Sequence, residues 1–171
     1  MREHEPPMPE PLAYFLTWGT YGTRLPGGER GWVERGRGWQ PPDAAREAAA
    51  AASMTEDACV LDREQREVVE RQVAETCRFR GWILHCVNCR SNHVHVVVTA
   101  NIEPTVVRDQ LKAWCTRRLK ELDAARACAS VREKWWAERG SQRFINDSES
   151  LEAVILYVRD LQDVAHEDQA Q

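Results

Sequence analysis

Two histidines in the middle of the chain have the spacing of a metal-binding pair. They lie in the run NHVHVVVT at 92–99, whose alternation and β-branched residues predict a strand after a turn at 90–92. Side chains alternate between the two faces of a sheet along a strand, so His93 and His95 must point to the same side. Two such imidazoles can ligate one divalent metal ion. The same pattern also occurs on the wet face of a half-covered strand.

A tyrosine late in the sequence is a candidate nucleophile. It lies at the rim of an arc of apolar residues with helical spacing, which are Leu151, Val154, Ile155, Val158 and Leu161. We expect a helix at about 148–163, capped by Asn146 and Glu149. Tyr157 would then lie beside the sheet with a reachable hydroxyl. An isolated tyrosine at such a boundary usually makes only a hydrogen bond, so its position alone assigns no role.

The bulk composition fits a single globular domain. The chain has 171 residues, of which 43% are hydrophobic and 29% charged, and this length allows a sizeable core. No stretch approaches the ~20 apolar residues needed to span a bilayer, and the first residues lack the apolar core of a signal peptide. We therefore expect a cytoplasmic protein without a membrane partner, with its six cysteines reduced.

The charges are unevenly distributed along the chain, although the net charge is only −4. Residues 78–120 carry eight Lys and Arg against two acids, whereas 145–171 carry seven acids against one Arg. This asymmetry predicts a cationic face for a phosphate backbone and an acidic tail kept apart from it, although solvated helix faces would give the same pattern. Arg108 and Lys112 share a helix face and are candidate phosphate contacts.

The hydrophobic patterns predict the element order β, insertion, α, β, β, α, β-hairpin, α. A proline-rich, flexible arm at 1–12 precedes a strand at 13–20, and a glycine- and alanine-rich insertion follows at about 22–60. Asp62 and Gln65 form a capping pattern for the next helix, strands follow at 82–88 and 93–99, and Pro104 begins another helix. The order predicts an α+β fold with a ferredoxin-like antiparallel sheet and helices packed on one face.

The late hairpin is a second candidate DNA contact. Its two strands flank Arg139-Gly140, a dipeptide typical of a two-residue hairpin turn. Trp135 and Trp136 could stack on bases while Arg139 and Arg143 hold phosphates, or the tryptophans could simply pack in the core.

Three segments of the chain resemble the single-tyrosine HUH transposases, and among these the REP-associated tyrosine transposases. The segments are YFLTWGTYGTRLPGGERGW at 14–32, VNCRSNHVH at 87–95 and LEAVILYVRDLQ at 151–162, and they occur in the order typical of the family. The resemblance spans about 13–163, with 164–171 left as an acidic tail. It implies DNA transposition by a metal-dependent endonuclease and strand transferase that acts on single-stranded or hairpin DNA through a 5′-phosphotyrosine intermediate.

The resemblance also implies roles for individual residues. His93 and His95 would ligate Mg²⁺ or Mn²⁺, and Tyr157 would be the nucleophile. The family usually takes a third ligand from the helix of the tyrosine, and the ending Tyr-x-x-x-x-Gln favours Gln162. Asp160 remains open, because it lies ~60° from Tyr157 around an ideal helix whereas Gln162 lies ~140° away. Also open is whether Tyr157 acts in its own subunit or in that of a homodimer partner.

Two other functions are compatible with the sequence. The chain could be a domesticated DNA-binding module that keeps the fold without the chemistry. It could also hold structural zinc, because Cys86, Cys89, His93 and His95 have the spacing C-x₂-C-x₃-H-x-H. The zinc site requires both thiols on one side of the sheet. The glycine-rich stretch at 19–31 lacks the residue order of a P-loop, so no nucleotide cofactor is expected.

Overall fold

The structure is a computed structural model that describes residues 10–127 and 132–161. Residues 1–9 of the predicted arm and the whole predicted tail at 164–171 lie outside these ranges. The elements in chain order are β1 (Ala13–Thr20), β2 (Trp32–Glu34), β3 (Gly38–Gln40), α1 (Ala44–Ala52), α2 (Arg63–Arg80), β4 (Ile83–Cys89), β5 (His93–Thr99), α3 (Pro104–Ala125), β6 (Trp136–Ile145), α4 (Ser148–Leu156) and a π-helical turn (Tyr157–Leu161).

The main sheet is antiparallel and has the strand order β4-β5-β1-β6. The strands β1 and β5 therefore form its centre, with a neighbour on each side. The short strands β2 and β3 pair with each other in a separate two-stranded sheet within the insertion. This arrangement confirms the predicted α+β class with an antiparallel sheet.

Two long helices cover one side of the sheet, which we call the packed face. The helix α2 begins at the predicted Asp62–Gln65 capping box and ends at Gly81, whose φ is 72°. Alternate strand residues on the packed face are fully buried against α2 and α3, and they include Leu16, Trp18, Val94, Val96 and Val98. No helix within the described ranges is both long and apolar enough to cross a membrane.

The last helix lies on the other side of the sheet, which we call the histidine face. Val154 of α4 and Val158 of the π-helical turn pack against Val97 and Ile145 there. The prediction of helices on one face thus describes α2 and α3 but not α4. Asp147 caps α4 by accepting a hydrogen bond from the Ser150 backbone N–H, so the expected cap at Asn146 is wrong by one residue.

The predicted late hairpin is also wrong, because β6 is one strand that pairs along β1. Gly140 lies within this strand opposite Trp18, and not in a turn. A Cβ atom at Gly140 would come within 2.3 Å of the Thr17 carbonyl oxygen. The glycine therefore serves the close approach of two backbones, which is one of the reasons a strand interior carries a glycine.

Candidate active site

The two histidines lie on the histidine face of β5, close to the middle of the sheet. His95 is opposite Thr17 of β1 and Asn88 of β4, while His93 is opposite Gly19. Val94, Val96 and Val98 point to the packed face, so the imidazoles share the other side as predicted. Their ring centroids are 4.7 Å apart.

Each imidazole is oriented by a hydrogen bond at Nδ1. The distance from His95 Nδ1 to the Thr17 hydroxyl oxygen is 2.8 Å, and that from His93 Nδ1 to Asn92 Oδ1 is 2.6 Å. When Nδ1 donates in these contacts, the lone pair of the neutral ring lies on Nε2, the atom that would ligate a metal. Sequence reasoning missed both Thr17 and Asn92 as partners, because only the cross-strand register and the rotamers reveal them.

The environment of His95 keeps its ring neutral. Its side chain is buried, and this burial lowers the pKa of His95 to about 3, with the positive charges of His93, Arg24 and Arg90 adding to the effect. An imidazole with so low a pKa is neutral near neutral pH, and its Nε2 carries no proton when Nδ1 donates to Thr17. The same positive charges would attract a phosphate, and Arg24 is a contributor that the sequence had not indicated.

Tyr157 lies next to His95 on the histidine face. Its ring centroid is 6.4 Å from that of His95 and 6.5 Å from that of Phe15, with nearly perpendicular planes in both pairs. Phe15 in turn stacks on His95 at 5.4 Å. Tyr157 is 44% exposed, so a ligand from solvent can reach it. One chain thus brings together the candidate nucleophile and the candidate metal pair.

A side-chain hydrogen bond ties the segment that carries Tyr157 to the sheet, in addition to the apolar packing of Val154 and Val158. Asn88 Nδ2 donates to the carbonyl oxygen of Val158 at 3.1 Å, from the β4 position opposite His95. The acceptor belongs to the π-helical turn, a distortion that occurs mostly at functional sites. Sequence reasoning also missed Asn88, although an amide within a mostly apolar strand next to the histidine strand was an available signal.

The third ligand of the predicted metal site is not found within the described ranges. Gln162 lies outside them. Among residues 10–127 and 132–161, no third His, Cys, Asp or Glu joins His93 and His95 in a group that could hold a metal ion. Asp160 is exposed at the end of the π-helical turn and is not brought into the site.

The zinc interpretation is wrong, because the two cysteines point to opposite faces of the sheet. Cys86 is opposite Val97 and packs with the cluster under α4, whereas Cys89 is opposite Val94 and lies in the core of the packed face. Burial raises the pKa of Cys86 to about 11, which disfavours the thiolate that zinc requires. The four candidate ligands therefore cannot surround one ion.

The predicted DNA-contacting residues divide into two groups. Arg143 of β6 is opposite Phe15, and its guanidinium lies 5.7 Å from the centroid of the Phe15 ring, which also contacts His95 and Tyr157. Arg139 lines a pocket at the end of β1. Arg108 and Lys112 instead extend from α3 to the backbone of β6.

The contacts of Arg108 and Lys112 are structural. Arg108 donates to the Gly140 carbonyl at 3.3 Å, and Lys112 donates to the Ala137 carbonyl at 2.8 Å. Burial, together with the charge of Arg108, lowers the pKa of Lys112. The structure does not bring either side chain to the histidine face. The two tryptophans are likewise occupied, since Trp135 is buried in the core and the Trp136 indole N–H donates to Thr116.

Comparison with solved structures identifies the fold. A REP-associated tyrosine transposase bound to a REP hairpin superposes with a TM-score of 0.54 at 12% identity, covering 97% of this chain and 74% of that one. A candidate transposase from Deinococcus radiodurans R1 gives 0.50 at 15% identity, covering 95% and 98%. No family model matches the sequence, and no curated protein is similar to it in sequence. The chain therefore shares the fold of these two transposases, which agrees with the resemblance seen in the sequence.

Proposed function

We propose that this protein is a metal-dependent transposase that cuts and rejoins single-stranded DNA through Tyr157. The observation that carries the proposal is the placement of the Tyr157 ring 6.4 Å from that of His95, on one face of a transposase-like sheet. An ordinary boundary tyrosine has no reason to lie beside a pair of oriented, partly enclosed imidazoles.

The donor set of the histidine face fits a divalent metal ion. His93 and His95 would bind it through Nε2, since both Nδ1 atoms are engaged. The π-helical turn supports Gln162 over Asp160 as third ligand, because the wider turn of i→i+5 hydrogen bonding brings a residue five positions on nearer to the side of Tyr157 than a residue three positions on. Once bound, Mg²⁺ or Mn²⁺ would polarise a phosphoryl oxygen and offset its negative charge.

The residues of this chain would carry out the covalent step. The Tyr157 oxygen attacks phosphorus and loses its proton, a Tyr–O–P bond forms, and the bond between phosphorus and the 3′ oxygen of the upstream nucleotide breaks. The products are a 5′-phosphotyrosine and a 3′-hydroxyl that has taken up a proton. Attack by a 3′-hydroxyl on the phosphotyrosine reverses the exchange and joins strands, so the energy of the broken bond is conserved. Arg143 would contact the phosphate, and its contact with the Phe15 ring, which Tyr157 also contacts, supports this role.

The DNA substrate we propose is a single strand that folds into a hairpin, by analogy with the transposase of the same fold that was solved with a REP hairpin. The exposed position of Tyr157 leaves it open to a phosphodiester from solvent. A cytoplasmic location and a homodimer remain predictions from the sequence.

The test is covalent adduct formation. Incubation with Mn²⁺ and a hairpin oligonucleotide with single-stranded flanks should give a protein–DNA adduct on a denaturing gel, mapped to Tyr157 by mass spectrometry and abolished by chelator. Tyr157→Phe should abolish the adduct. Tyr14→Phe is the matched control, because Tyr14 undergoes the same change on the packed face and should retain activity.

The alternative outcome is equally informative. Tight, salt-sensitive DNA binding without an adduct under any divalent ion would contradict the enzyme and leave a DNA-binding module with the same fold. An undiminished adduct in Tyr157→Phe would contradict the assignment of the nucleophile.

A further inference from the structure

The pocket that Arg139 lines opens at the end of β1, between the insertion and β6. Its volume is about 670 Å³, within the range of small-molecule sites and large enough for a nucleotide. The end of β1, the β2–β3 hairpin, α1 and β6 all contribute to its walls, with Tyr21, Trp32, Arg35, Arg46 and Arg139 among the lining residues. We call it the insertion pocket.

The insertion pocket is built by close packing. Gly22 has a φ of 73°, and a Cβ atom there would come within 2.3 Å of Cε of Met54, which follows α1. The backbone N–H of Thr55 donates to the Tyr21 hydroxyl at 3.1 Å, and that of Cys59 donates to the Tyr21 carbonyl at 2.7 Å. These contacts fold the insertion back onto the end of β1, so the pocket exists before any ligand arrives.

The lining combines aromatic surface with three arginines, which outnumber the carboxylates of Glu34 and Glu138. Arg46 stacks over Trp32, with its guanidinium carbon 4.1 Å from the ring centroid, and lies 3.7 Å from the Glu34 carboxylate. Arg35 and Arg139 make no ion pair with any residue that the structure describes. Guanidinium groups beside aromatic rings are the combination that binds phosphate and base in single-stranded nucleic acids.

The insertion pocket lies next to the histidine pair of the candidate active site. Gly19 is opposite His93, and the Ala137 side chain, which lines the pocket, is 4.0 Å from where a Cβ atom of Gly19 would lie. Tyr21 and Gly22 follow within three residues, a span of about 10 Å in extended chain. A strand of DNA that passes Tyr157 and the histidine pair would reach the pocket with its next nucleotides.

We propose that the insertion pocket binds one nucleotide of the DNA strand adjacent to the phosphodiester that Tyr157 attacks. The base lies against the aromatic wall, and its phosphate is contacted by Arg35 and Arg139. This site deepens the proposed function and rests on it, because it gives the transposase a base preference at one position beside the cleavage point.

The experiment measures DNA binding without chemistry. The probe is the tightest-binding member of a randomised library of hairpin oligonucleotides with single-stranded flanks, titrated in chelator by fluorescence anisotropy. Arg35→Gln should weaken binding about tenfold and reduce the salt dependence by about one phosphate contact. Arg30→Gln is the matched control, because it removes the same charge from the same insertion outside the pocket and should change affinity about twofold or less.

An abasic scan of the probe then tests for a bound nucleotide. At one flank position, removal of the base should weaken wild-type binding about tenfold. In Arg35→Gln, whose affinity is already reduced, removal of the same base should weaken binding only a little further. In Arg30→Gln it should weaken binding by the full tenfold seen with wild type. The proposal is overturned if Arg30→Gln costs as much as Arg35→Gln, or if the losses from Arg35→Gln and every abasic site are additive.

These outcomes separate the pocket from the proposed function. Coupling between Arg35 and one base without any Tyr157 adduct would support the pocket and contradict the enzyme. An adduct without coupling would support the enzyme and contradict the pocket. If circular dichroism shows that Arg35→Gln unfolds, Arg139→Gln replaces it with the same expected coupling and the same overturning result.

Discussion

The two faces of the central sheet are built from the same strands but are stabilised in different ways. On the packed face, Val94, Val96 and Val98 of β5 are fully buried under α2 and α3. On the histidine face, the same strand presents His93 and His95 under a helix that covers the sheet only in part. One alternating strand therefore supplies both a dry core and a polar site.

The difference shows how this fold separates stability from chemistry. Many apolar contacts hold the packed face, so no single side chain there has to be oriented. The histidine face instead depends on individual hydrogen bonds, namely Thr17 to His95, Asn92 to His93, and Asn88 to the turn beneath Tyr157. Substitutions on the packed face should lower the free energy of unfolding, whereas substitutions on the histidine face should change binding and reaction.

The largest expected effect on folding comes from Leu111→Ala, which removes a fully buried side chain of α3 from the packed face. It should lower the free energy of unfolding by about 2–5 kcal/mol, through lost apolar burial and the cavity left behind. Urea denaturation followed by circular dichroism measures it. Leu156→Ala is the matched control on α4, where the leucine is 51% exposed, and it should cost below about 1 kcal/mol. Equal losses in the free energy of unfolding for the two variants would contradict the view that the packed face supplies most of the stability.

A smaller effect, in metal affinity, is expected from Thr17→Val. The variant keeps the shape of the side chain and removes the oxygen that contacts His95 Nδ1. Loss of such an orienting partner should weaken Mn²⁺ binding about 10–100-fold, with little change in unfolding. Isothermal titration calorimetry measures the affinity. Thr99→Val removes a hydroxyl from the same sheet that contacts Leu12 and His85, and it should leave metal affinity unchanged. A similar loss in both variants would point to a general effect on the sheet.

Local patterns in the sequence predicted the features that depend on neighbouring residues. The strands β1 and β5, the Asp62 cap and the common side of the two histidines follow from alternation and capping chemistry. The opposite directions of Cys86 and Cys89 were also accessible, since residues three apart in a strand face opposite sides. That rule already argued against zinc.

Other features depend on contacts between distant segments, and the sequence could not show them. Arg139-Gly140 is typical of a hairpin turn, yet Gly140 is required by the approach of β6 to the Thr17 backbone. The change from α-helix to π-helix at Tyr157 shifts the backbone hydrogen bonds without altering the spacing of the apolar residues. The hydrogen bond from Asn88 to the Val158 carbonyl joins residues that are 70 positions apart. Arg108 and Lys112 have the spacing of a phosphate-binding pair, but in the fold both side chains donate hydrogen bonds to backbone carbonyls of β6.

The smallest expected effect is on the pH dependence of stability in the metal-free protein. The pKa of His95 is about 3 in the folded chain and about 6.5 in a solvated histidine. The unfolded state therefore binds a proton that the folded state does not, at every pH between these values. Acid therefore favours unfolding between these two pH values. The protonation of His95 in the unfolded state should lower the free energy of unfolding by up to about 1.4 kcal/mol for each unit that the pH falls below 6.5.

The measurement compares wild type with His95→Gln by urea unfolding in chelator, in steps from pH 7 to pH 5. The pKa of some carboxylates, such as Asp62 beside Arg126, is also lowered in the folded state. Their protonation in acid lowers the free energy of unfolding by the same amount in both proteins. The difference between the two curves thus isolates His95, and the variant should fall less steeply. Parallel curves would mean that His95 is protonated in the folded state, and the histidine face would then be wetter than its packing against Phe15 and Tyr157 implies.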